Sequence, residues 1–180
     1  MDINYRVANQ SDASAIASLH TQSWQNTYHT MLKAEYLSQV APSERLTLWQ
    51  SRFATENSKQ HVIIASHQSK LVGFICVYAD HNTELGSLLD NLHVDGHYHG
   101  NGIAKQLMSM ATQWLQANAK HPSIYLEVLS GNHHAIKVYE KLGAKRVKAG
   151  VWHAPCGSVV DEFVYQWSDK TQLSEYQHSV

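Results

Sequence analysis

Apolar residues recur along this chain with two periods, and the elements follow from where one gives way to the other. Ile3-Asn-Tyr-Arg-Val7 alternates and reads as a first strand. Ser11 stands where a helix cap belongs, ahead of Ala13, Ile16, Ala17, His20 and Trp24 on one helical face. A break falls near His29-Thr30. Lys33 to Val40 reads as a short helix, and Pro42-Ser43 opens another carrying Leu46, Trp49 and Phe53. Val62 to Ser66 and Leu71 to Tyr78 form a hairpin about Gln68-Ser-Lys70, followed by a polar loop from Asp80 to Glu84. Leu88 to Val94 is apolar enough for a buried strand. From Ile103 the period lengthens: Ile103, Leu107, Met110, Ala111, Trp114 and Leu115 share one face of a helix reaching about Ala119. Ile124 to Val128 is a strand. Asn132 caps a helix that ends at Leu142, with Gly143 as its stop. Ala144 to Val151 and Val159 to Trp167 are the last strands. The order, hairpins mixed with two βα crossovers, predicts an α/β domain with a mixed sheet over residues 1–168 and a polar, frayed tail over 169–180.

The stretch between the fourth predicted strand and the long helix carries the chemistry. Asp95-Gly-His-Tyr-His-Gly-Asn-Gly-Ile-Ala104 joins a buried strand to a helix start through glycines. Such a loop aims backbone N–H groups at one point, and the helix N-terminus adds partial positive charge, so phosphate or pyrophosphate is the natural ligand. A Walker loop requires Gly-Lys-Ser/Thr, whereas Gly102 precedes Ile103 and Ala104. A dinucleotide loop requires a third glycine where Lys105 stands, although Glu127 would mimic its ribose-binding acid. The pyrophosphate arm of coenzyme A is the third design. A glycine-rich turn that merely starts a helix is the plain alternative to all three.

Composition narrows the classes. The chain has 180 residues, enough for one domain with a sizeable core. Its net charge is −1 and no basic run exceeds two residues, so neither nucleic acid nor a membrane surface has an electrostatic footprint. The N-terminal residues lack the apolar run of a signal peptide, and no stretch is long enough to span a bilayer. Two separated cysteines, Cys76 and Cys156, make no disulfide framework, which suits a cytoplasmic location. Among 13 histidines, His93, His97 and His99 cluster, but across a strand-to-loop junction, where i,i+4 spacing does not converge on a metal. No metal is expected.

Two motifs carry a resemblance. His99-Gly-Asn-Gly102-Ile-Ala104 resembles the Gln/Arg-x-x-Gly-x-Gly/Ala signature of the GCN5-related N-acetyltransferases (GNAT), departing at His99. Asn132, Ala135, Tyr139 and Gly143 match a second GNAT signature, Asn-x-x-Ala-x-x-x-Tyr-x-x-x-Gly-Phe, with Ala144 in the aromatic position. The element order matches too, and the resemblance covers about Ile3 to Trp167. The surroundings of Trp24, Tyr28 and Trp152 resemble a bacterial group of that superfamily whose acceptors are mostly unknown.

The resemblance implies a GNAT-type mixed, mostly antiparallel sheet with a splayed central strand pair and helices on both faces. It implies acetyl-CoA as co-substrate, with the pantetheine along Leu92, His93 and Val94. The pyrophosphate would sit at His99, Gly100, Asn101, Gly102, Ile103, Ala104 and Lys105, with Asn132 and Ala135 beside the pantetheine. Tyr139 would be the general acid at the coenzyme sulfur. A thiol has a pKa of ~8.5 and tyrosine ~10, so the phenol stays protonated until a thiolate forms beside it. An ordinary core aromatic is the alternative. The family's usual strand glutamate is replaced by Leu88, which leaves Asp90 as the expected base, with Glu127 and Glu162 as alternatives and His93 on the opposite face of a regular strand. The acceptor, a small-molecule or peptide amine, would lie against Trp24, Tyr28 and Trp152, whose rings suit a cation. The function implied is N-acetyl transfer by direct attack in a ternary complex. The rival is a CoA-binding module without turnover, and a homodimer is compatible with either.

Overall fold

The computed structural model describes residues 1–175 and contains seven strands in one sheet. The strands are β1 (Asn4–Val7), β2 (Gln60–His67), β3 (Lys70–Asn82), β4 (Gly86–Val94), β5 (Ile124–Leu129), β6 (Lys145–His153) and β7 (Val159–Trp167). The helices are α1 (Ala13–Tyr28), α2 (Ala41–Ala54), α3 (Ile103–Asn118), α4 (His133–Lys141) and the short α5 (Gln172–Glu175). The strand order is β1-β2-β3-β4-β5-β7-β6, with every pair antiparallel except β4–β5. This is the expected mixed sheet. No helix among the described residues is long and apolar enough to cross a membrane.

Alternation along β2 and β3 sorts the core into two layers. Ile63, Ala65, Ile75 and Val77 face α3, where Ile103, Leu107 and Leu115 are buried against them. Val62, Ile64, Phe74 and Cys76 face α1 and α2, packing on Ile16, Ala17 and the fully buried Trp49. Because both faces are covered, these strands read as continuous apolar runs.

Several local expectations are corrected. Ser11 is not the cap before α1. Asn9 accepts from the Ser11 backbone N–H at 2.9 Å, and Asp12 accepts from the Asn9 N–H at 2.8 Å, so the capping box sits one short turn earlier. Arg6 locks Asp12 with two bonds of 2.8 and 2.7 Å. The short helix expected at Lys33 to Val40 is present from Ala34, but it is π-helical over Tyr36–Val40 and runs directly into α2. The polar loop expected at Asp80 to Glu84 is largely strand. β3 continues to Asn82, because Asp80 takes a positive φ of 47° in an irregular stretch and accepts from the Lys120 and His121 N–H groups.

The tail is docked where it begins. Lys170 Nζ donates to the Ala119 carbonyl at 2.7 Å, just beyond the C-terminus of α3, and Leu173 is buried against the α3 layer. Polar composition hid a cation placed on a helix C-terminus, where free carbonyls and the dipole favour it. Residues 176–180 of the expected tail lie outside the described residues.

Candidate active site

β4 and β5 pair only at Ser87↔Ile124 and Leu88↔Tyr125. Beyond Leu88 the strands part, and a cleft of about 700 Å³ opens between them, with Asp90 to Val94 half-buried along one wall. A bulge accompanies the parting. Cys76 of β3 pairs with Asn91 and Val77 with Leu89, which leaves Asp90 as the extra residue. The side-chain faces read from a regular strand do not hold here. Leu89 and Leu92 pack toward α3, while Asp90, Asn91 and His93 all turn toward α1 and α2. His93 is therefore on the same side as Asp90, not the opposite one, because the bulge shifts the side-chain period by one.

The loop after β4 is fixed from both ends. Asp95 accepts from the His97 N–H at 3.0 Å and from Lys70 Nζ at 2.8 Å, and the lysine's bond holds this carboxyl below the usual range. The Asn101 side chain turns back onto the loop, donating to the Tyr98 and His99 carbonyls at 3.1 and 3.2 Å. His99 Nε2 lies 3.0 Å from the Val94 carbonyl, so one of the backbone groups expected to meet a pantetheine already has a partner. Gly100 and Gly102 have φ of +78° and +73°, a region costly for any side chain. No side chain caps α3, and its first-turn N–H groups open on the cleft. Nothing lies within 4 Å of where a Cβ would stand on Gly100 or Gly102. This bare, amide-lined concavity fits a pyrophosphate. His99, Gly100, Gly102, Ile103, Ala104 and Lys105 border the cleft, whereas Asn101 does not.

Across the cleft, the Asn132 side chain accepts from the Ala135 N–H at 3.3 Å and starts α4. One face of that helix then presents Ala135 and Tyr139. The Tyr139 ring stands edge-on to Trp167, 6.1 Å away at 89°. Burial raises the Tyr139 phenol well above its usual value, and the neighbouring Tyr28 phenol adds to the effect. Tyr28 is raised for the same first reason, opposed by a hydrogen bond from Asn132. Glu162 on β7 borders the same space. Burial raises its carboxyl above the ordinary glutamate value, and Glu127 on β5 raises it further.

Of the residues expected to meet the acceptor, all three come together. Trp24 stands 5.6 Å from Tyr28 and 6.1 Å from Trp152, both edge-on. Asp90 lies on the floor beside them, 2.8 Å from Arg52 Nη1, while Arg52 also donates to Asn91 Oδ1 at 3.0 Å. Ser23 Oγ lies 2.6 Å from His93 Nδ1, and sequence reading did not single out Arg45 and Arg52 on α2. Two arginines seven residues apart on a helix share a face, and that spacing was the available signal.

The chain matches the model of the acetyltransferase (GNAT) family over residues 15–144. It is 32% identical over 82 residues to a Bacillus subtilis subsp. natto protein named "Probable spermine N(1)-acetyltransferase" and 30% identical over 82 residues to the spermine/spermidine N(1)-acetyltransferase of Bacillus subtilis strain 168. Each match covers 43% of this chain and 54% of the relative, so the chain spans about half the length of the curated relatives it matches. Among solved structures, the PaiA N-acetyltransferase of Thermoplasma acidophilum in complex with coenzyme A superposes with a TM-score of 0.70 at 20% identity, covering 90% of this chain and 98% of that one. With strands, splay and glycine loop in place and the family model covering most of its length, this chain belongs to the acetyltransferase (GNAT) family.

Proposed function

We propose that the protein is an N-acetyltransferase that moves the acetyl group of acetyl-CoA to a primary amine by direct attack in a ternary complex. The observation that carries this reading is the splay of β4 from β5. It frees strand backbone beside the glycine loop at the uncapped start of α3, and Tyr139 borders the same cleft. The relatives named for spermine and spermidine support an amine as acceptor.

In this reading the loop from Gly100 to Lys105 holds the pyrophosphate, and β4 from Leu92 to Val94 guides the pantetheine. The amine nitrogen attacks the thioester carbonyl, the C–N bond forms, and the C–S bond breaks. The thiolate leaves beside Tyr139, which hydrogen-bonds it and supplies the proton that makes the thiol, and the phenolate regains a proton from the acetylated nitrogen, directly or through water. A second proton must leave the amine, because an alkylammonium of pKa ~10.4 is deprotonated in only about one part in 10³ at pH 7. Asp90 would have to give up its ion pair with Arg52 to take it. Glu162 has no such partner among the described residues and acts on Tyr28, so we assign it the proton, directly or through water, and give Asp90 the holding of Arg52.

Calorimetry with acetyl-CoA and thiol release across an amine panel test the reading. Saturable binding followed by amine-dependent thiol release is expected. Binding without release from any amine would instead describe a CoA-binding module.

A further inference from the structure

The α2 end of the cleft holds a cation that its neighbours only weakly compensate. The Arg45 guanidinium lies over the Trp24 ring, 4.3 Å from its centroid, with the side chain only 15% exposed. Its nearest carboxylate, Glu44 Oε2, is 3.8 Å away and already accepts from the Tyr36 hydroxyl at 2.6 Å. Arg45 Nε is buried without a hydrogen-bond partner among the described residues. Asp90 faces this end of the cleft, but its ion pair is with Arg52, whose own charge repels Arg45. A buried guanidinium with an open donor costs free energy unless an anion completes it.

The opposite end has the complementary excess. Glu162 and Glu127 border it, next to Tyr28 and Tyr139. Between the two ends run the rings of Trp24 and Tyr28. A polyamine would suit the carboxylate end and be repelled at the arginine end.

Resting on the acetyl-transfer reading above, we propose that Arg45 binds a carboxylate of the acceptor, which is therefore an amine that also carries a carboxylate rather than a polyamine. The planar fork of arginine takes a carboxylate through two parallel bonds, and stacking on Trp24 holds that fork flat. The amine is then directed toward Glu162 and the thioester, with the carboxylate anchored at α2.

The test uses pairs of acceptors that differ by one carboxylate: 5-aminopentanoate against pentylamine, and lysine against cadaverine, with spermidine beside them. The carboxylate-bearing member of each pair is expected to have the higher kcat/KM, mainly through KM. Arg45→Met keeps the stem and removes the fork. It is expected to lower kcat/KM for 5-aminopentanoate about 10²-fold more than for pentylamine, the scale of a charge-assisted pair broken at one partner. Arg45→Lys, which keeps the charge without the fork, gives a smaller loss and serves if the Met variant does not fold. Calorimetry with 5-aminopentanoate in the presence of CoA reads the same contact without turnover, and the Met variant should lose that binding. A preference for pentylamine, cadaverine or spermidine, equal losses across a pair, or no 5-aminopentanoate binding to the parent protein would each overturn the inference. The first two leave acetyl transfer standing. Absence of thiol release with every amine, by contrast, would overturn the acetyl-transfer reading itself.

Discussion

Arg52 on α2 reaches across to Asp90 on β4, Nη1 to Oδ2 at 2.8 Å, at a bulge residue that has no partner on β3. The bulge and the ion pair explain each other. An extra residue turns Asp90 toward the helices, and a half-buried arginine waits there, stacked over Trp49 at 4.8 Å. The pair ties α2 to the strand at the point where the sheet opens.

Removing one partner should therefore cost fold stability. Asp90→Asn leaves the Arg52 charge in place with its countercharge gone, and a loss on the order of 2–4 kcal/mol is expected. Urea unfolding measures it. Adding Arg52→Met should recover part of the loss. Two single losses that simply add would mean that the two groups do not interact.

Glu162→Gln addresses the amine proton. The transfer rate at neutral pH should fall and recover toward the parent as pH approaches 10, where the amine is already free. Asp90→Asn should leave the shape of the pH–rate profile as it was. If the two variants exchange these behaviours, the base is Asp90.

Tyr139→Phe keeps the ring against Trp167 and removes only the hydroxyl. Acetyl-CoA affinity should barely change, while kcat falls on the order of 10²-fold, because the thiolate exists only after the ground state has been left. A Phe variant that turns over as fast as the parent would make Tyr139 a packing residue.

Gly102→Val forces a β-branched residue to a φ of +73°, at a strain cost on the order of 1–3 kcal/mol. No protein atom stands in its way, so a folded variant is expected, but its side chain would enter the concavity over the α3 amides. Calorimetry should find acetyl-CoA binding abolished. Undiminished affinity in a folded variant would move the pyrophosphate elsewhere.

His93 gives stability a pH dependence. It packs against His20, centroids 4.8 Å apart, and bonds Ser23, and burial lowers its pKa from 6.5 to about 4. His20, whose Nδ1 accepts from Trp49 Nε1, is lowered by burial and by His93. Above pH 6.5 the ring is neutral in both folded and unfolded states. Between 6.5 and 4 the unfolded state binds the proton that the folded state refuses, so stability falls as pH drops through that window, by about 2–3 kcal/mol from His93. His93→Gln should flatten melting temperature against pH over that range. An unchanged slope would mean that the imidazole takes the proton while folded.

The sequence by itself determined most of the elements, the glycine loop before α3 and the start of α4. Periodicity placed the strands and the long helix because burial on two faces leaves the same mark wherever a chain is cut. Gly100 and Gly102 were legible because few other residues tolerate their backbone, and Asn132 with Tyr139 because cap and cleft face are set by spacing within one helix. Those are local constraints, written in consecutive residues.

What only the tertiary structure decided is the α2 end of the cleft. Whether Asp90 and His93 share a side depends on one unpaired residue, and that bulge is set by how β3 and β4 fit, not by either strand alone. The pairing of Asp90 with Arg52, the burial of Arg45 over Trp24 and the meeting of Glu127 with Glu162 join residues 21 to 38 positions apart. Charge in a sequence reads as solvated surface by default. It becomes a binding group only where packing removes the water and leaves a donor or an acceptor without its partner.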